Sequence, residues 1–69
     1  MTDTLGEALP REMARVRDDV MPAYVGIGWP AAVAVAMMRR DLDRAAKALA
    51  EGDAVEMLRA YESLKEYET

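Results

Sequence analysis

Residues 30–53, PAAVAVAMMRRDLDRAAKALAEGD, decide how the rest of the chain can be arranged. Pro30 suits the first turn of a helix, where its missing N–H would be unpaired anyway, and no further proline or glycine follows before Gly52. Val35, Met38, Leu42, Ala45 and Leu49 recur at steps of three and four, the rhythm of a helix laid lengthwise against a neighbour. Glu51-Gly52-Asp53 then ends that helix: Gly52 supplies the left-handed conformation, and Asp53 with Glu56 makes an acidic cap for a following helix over 54–67. So short a connection predicts that the helices over 30–50 and 54–67 form an antiparallel αα-hairpin. The second of them is expected to bury Ala54, Met57, Leu58, Tyr61 and Leu64.

Upstream, Leu9, Met13, Val16 and Val20 repeat at steps of four, three and four and predict a first helix over 9–21, with Pro10 in its opening turn. Its opposite face carries Arg11, Glu12, Arg15, Asp18 and Asp19, with Glu12 and Arg15 at helical neighbour distance. A competing start at Thr4, boxed with Glu7, would place Pro10 inside the helix, so residues 1–7 are read as an irregular arm. Two prolines and two glycines between Pro22 and Pro30 interrupt either regular period, so residues 22–29 are read as an unusually apolar loop. The expectation is one all-α domain of three helices over residues 1–69, with the first helix packed across the hairpin.

Composition agrees with that class. The 69 residues are 52% hydrophobic and 32% charged, rich in alanine, leucine, valine and methionine and without phenylalanine, so helix formers dominate. Cysteine and histidine are absent, which removes disulfides, thiolate nucleophiles and histidine acid–base or metal chemistry. A core this small, without covalent staples, gains from association.

The half of the second helix before Arg39 is apolar all round, with Val33 and Met37 facing away from the main stripe. One neighbour cannot cover both sides, so this half is expected to be sandwiched between the other helices or against a second copy. Tyr24, Ile27, Trp29, Val33 and Met37 are the candidate interface, and a homodimer, or else another protein, is the expected partner. Trp29 fits either an interface anchor or core filler at this stage.

Other functions find less support. Val20–Met38 is an uncharged run of nineteen, but Pro22, Gly26, Gly28 and Pro30 break it, so no membrane span is expected. No basic segment followed by an apolar one opens the chain, and the cytoplasm is the expected location. The net charge of −4 disfavours nucleic acid as partner, although Arg39, Arg40, Arg44 and Lys47 define an alternative basic face. That charge is uneven, with four basic and two acidic residues over 22–50 against two and six over 51–69, which favours pairing the last two helices. The carboxylate pairs Asp18/Asp19 and Asp41/Asp43 are read as lying on solvated faces, and Ser63 has no histidine to activate it. Gly26-Ile27-Gly28 falls short of a phosphate-binding loop. No catalytic residue, cofactor or metal is expected.

The stretch Ala45–Asp53, leading into Leu58, Tyr61 and Leu64, has the rhythm of one helical-repeat hairpin, but no second copy follows it. Tyr24-Val25-Gly26-Ile27-Gly28, the alanine-rich helix after it and Glu51-Gly52-Asp53 together resemble small, uncharacterised helical proteins of proteobacterial prophage-like gene clusters. That resemblance implies no catalytic or binding residue.

Overall fold

The computed structural model describes residues 4–68 and is all-helical over them, with three helices. The first begins earlier and ends later than the sequence suggested. It consists of α1 (Leu5–Arg15), a π-helical turn (Val16–Val20) and α2 (Met21–Ile27), and the backbone stays right-handed helical at both joints. Thr4 caps it, its Oγ1 accepting the Glu7 N–H at 3.2 Å, so the helix starts at the Thr4–Glu7 box and not at Leu9. Of the expected arm, residues 1–3 lie outside the described residues, and Leu5 onwards is helix.

Pro10 is tolerated inside α1 because it and Gly6, the residue one turn earlier whose carbonyl it leaves without a helical donor, both face solvent. Pro22 is accommodated differently. A proline ring collides with the carbonyl one turn before it, and the turn just before Pro22 is widened: the Met21 N–H reaches back five residues to the Val16 carbonyl. The expected loop over 22–29 is therefore mostly helix, and the break falls at Gly28 alone. Its φ of 88° and ψ of −144° lie where only glycine is comfortable.

A short 3₁₀ turn, Trp29–Ala31, holds Pro30 and leads into α3 (Ala32–Glu51). Gly52 follows with a φ of 66°; its N–H binds the Leu49 carbonyl at 3.2 Å, and the Asp53 N–H binds that of Ala48 at 3.1 Å. This is the Schellman arrangement, which satisfies carbonyls the helix end would otherwise leave open. Asp53 then caps α4 (Ala54–Lys65), its Oδ1 accepting the Glu56 N–H at 3.1 Å.

Packing follows from these lengths. α4 lies against both α1 and α3, while α2 rests on α3. The Cα extents of 37 × 25 × 15 Å leave room for about two helix layers in the thinnest direction, so the core is a seam between helices. Leu9, Val16, Val20, Met38, Ala45, Ala60 and Leu64 fill the seam, flanked by Met13, Met21, Tyr24, Leu42, Leu49, Met57 and Tyr61. The buried side of α4 is thus Met57, Ala60, Tyr61 and Leu64; Ala54 and Leu58, expected inside, face solvent.

Candidate interaction surface

The α3 helix is covered unequally along its length. Tyr67, just past the end of α4, donates its hydroxyl to Asp41 Oδ2 at 2.6 Å, while Arg44 Nη2 reaches Glu56 Oε2, in the first turn of α4, at 3.4 Å. α4 therefore ends level with Asp41. Nine residues of α3 precede that point, about 13 Å at the helical rise of ~1.5 Å per residue, and beyond Met38, which shares the core with Leu64, the helix runs out past the end of α4.

On this overhang Ala31, Val35 and Met38 are buried, but Val33 is 73% exposed and Met37 is also exposed. Val33 and Met37, one four-residue step apart on α3, share its uncovered side, and Trp29 precedes them in the 3₁₀ turn that leads into the helix. Trp29, the largest apolar side chain in the molecule, is 88% exposed, and Ile27, at the end of α2, is 61% exposed. Between intrachain packing and exposure, Trp29 is thus found in solvent. Tyr24, grouped with these residues by sequence, is placed apart: its ring is half-buried against the core and its hydroxyl donates to the Glu68 carbonyl at 3.1 Å. Val25 takes its place among the exposed apolar residues. A second exposed pair, Val55 and Leu58, lies on α4. Leu58 borders a groove of about 440 Å³ that Leu5, Ala8, Arg11, Glu12 and Tyr61 also line.

The basic residues of α3 are distributed rather than gathered. Arg40, Arg44 and Lys47 share one side, and Arg39 stands about 100° around the helix from Arg40. Arg44 pairs with Glu56, which itself also accepts from Arg59 at 3.2 Å. Arg44 and Lys47 share a small hollow with Glu51 and Glu56, so carboxylates interleave with the cations.

Two side chains read as solvated are partly or wholly internal. Asp41 is only 3% exposed, a correction to its placement on a charged face, and its partners are Tyr67 and, at 3.4 Å, Arg40. Burial and the Asp41 carboxylate push the Tyr67 hydroxyl from its ordinary value up to about 12. Arg15 is half-buried and caps the end of α4: Nη2 donates to the Leu64 carbonyl at 3.0 Å and Nη1 to that of Tyr67 at 2.9 Å. Glu12 Oε2 holds its Nε at 2.6 Å, as the helical spacing of the two residues suggested. A guanidinium at this place meets both the open carbonyls and the negative end of the helix dipole. On the exposed surface, Arg17 lowers the pKa of Asp18 by a hydrogen bond of 2.8 Å.

Among the described residues no cluster of acidic side chains is placed to hold a metal ion, and no helix is long and apolar enough to cross a membrane. Comparison with protein-family models, with curated proteins and with solved structures gave no match in any of the three.

Proposed function

We propose that this is a non-catalytic interaction module that associates with a second copy of itself through the uncovered half of α3. In this reading α3 and α4 form an antiparallel αα-hairpin, and dimerisation completes the core that the short α4 leaves open. The observation that carries the proposal is the exposed apolar surface of Trp29, Val33, Met37 and Ile27, on a chain whose own core is a seam.

A second copy is the favoured occupant for an electrostatic reason. A two-fold interface brings residues near its axis against their own copies, so a charge at the centre would meet a like charge. The segment that forms this surface, Val20–Met38, contains no charged residue. Charge begins only past the end of that segment, with Arg39 and Arg40 on α3. Nucleic acid finds less support, because Arg40, Arg44 and Lys47 are paired with, or interleaved by, Asp41, Glu51 and Glu56.

Light scattering over a concentration series tests the proposal. The expected result is a salt-insensitive dimer for the natural chain and a folded monomer for Val33→Asp, whose side chain touches solvent in the single chain. A natural chain that stays monomeric to millimolar concentration, or a Val33→Asp variant that still dimerises, would overturn it.

A further inference from the structure

Residues 64–68 close α4 and run on past it by less than a turn, yet four side-chain hydrogen bonds link them to three other elements. Arg15, the last residue of α1, holds the carbonyls of Leu64 and Tyr67. Tyr24, on α2, holds the carbonyl of Glu68 at 3.1 Å. Tyr67 in turn donates to Asp41, buried in the middle of α3, at 2.6 Å.

The two attachments on the first helix fall on either side of the π-helical turn Val16–Val20. Beyond that turn, α2 has weak means of its own. It is seven residues long, begins at a proline-widened turn, includes Gly26, ends at Gly28 and has no fully buried side chain. Its half-buried residues are Met21 and Tyr24. Local unfolding draws on such segments first, unless something fastens them.

We propose that the C-terminal segment 64–68 is a strap that fastens α2 across the π-helical turn, and that its release lets α2 open while α3 and α4 stay folded. The strap bonds α2 through Tyr24, fixes the helix just before the wide turn through Arg15, and is itself anchored to α3 by the Tyr67–Asp41 bond. Because Ile27 and Trp29 lie at the far end of α2, the strap also sets where that part of the exposed apolar surface sits. The fastening does not depend on self-association; only its consequence for the apolar surface rests on the reading above.

Hydrogen exchange resolved to single amides tests the strap, on the natural chain, on Tyr67→Phe, on Tyr24→Phe and on a chain truncated after Lys65. Measuring at the lowest workable concentration and again at high concentration separates the strap from association. The expected result is exchange at least about tenfold faster for the α2 amides in all three variants at low concentration. Amides of α3 from Leu42 to Ala50 and of α4 from Leu58 to Leu64 should keep their natural rates in the two tyrosine variants. Unchanged α2 protection in those variants would overturn the proposal. So would an equal loss of protection in every helix, which marks a contribution to overall stability with no local fastening. If truncation unfolds the chain, the two single-hydroxyl variants decide the matter alone.

Discussion

The two halves of α3 differ in what a neighbouring helix does for each. From Asp41 to Glu51 the helix has α4 alongside: Ala45 and Ala48 are buried, Leu42 and Leu49 half-buried, and Asp43, Arg44 and Lys47 point outward. From Arg40 back to Ala32 the helix runs out past the end of α4, and apolar side chains occupy the solvent side as well as the buried one. The same helix is thus amphipathic where it has its neighbour and two-sided where it lacks one. The lesson is that a missing helix shows in sequence as surplus hydrophobicity, and that what is missing can lie outside the single chain.

The comparison predicts unequal costs. The largest belongs to Leu64, fully buried where α4 meets the seam formed with Leu9, Val16 and Met38. Leu64→Ala removes buried methyl groups and leaves a cavity, a loss of about 2–5 kcal/mol. Urea denaturation should register it as a large fall in midpoint, or as a chain that does not fold, given the small total stability of a domain of this size. A fall below about 1 kcal/mol would show that the α4 side is not where stability is concentrated.

Next is the polar anchor at the boundary between the halves. The Tyr67 hydroxyl titrates at about 12 in the folded chain against 10.0 for an ordinary tyrosine. The folded state therefore holds its proton more tightly than the unfolded state does. Stability from this group is fully present below pH 10 and is lost as pH rises towards about 12. Denaturation midpoints measured across that interval should fall more steeply for the natural chain than for Tyr67→Phe. Parallel curves would mean that the bond to Asp41 contributes nothing that titrates.

Much of this arrangement was legible in the sequence, and the failures share a cause. The turn at Gly52 and Asp53, the stripe of α3 and the surplus at Val33 and Met37 are local patterns, each set by residues within a turn or two of one another. The helical run through residues 22–27 was hidden because prolines and glycines outweighed a weaker signal. The steps that link Leu9, Met13, Val16 and Val20 continue through Tyr24 to Ile27, four and then three residues on, and the wide turn absorbs the proline. Asp41 and Arg15 were misplaced for a different reason. Their partners lie 26 and about 50 residues away, and no periodicity reports a bond of that range. Side-chain polarity alone assigned both residues to solvent, although a carboxylate with a phenol, and a guanidinium with open carbonyls, can each be satisfied inside.

The smallest expected effect concerns the largest side chain. Trp29 would ordinarily be the costliest residue to truncate, since an aromatic core residue lost to alanine costs about 3–5 kcal/mol. Here 88% of it is in solvent, so in the monomer there is little burial to lose, and Trp29→Ala should shift stability at high dilution by no more than about 0.5 kcal/mol. If a second copy covers this surface, the same variant should lose stability relative to the natural chain as concentration rises, because only the natural chain gains from mass action. Melting both proteins over a hundredfold concentration range distinguishes the cases. Curves that diverge with concentration place the tryptophan in an interface, and curves that stay together at every concentration leave the overhang of α3 without a second copy to cover it.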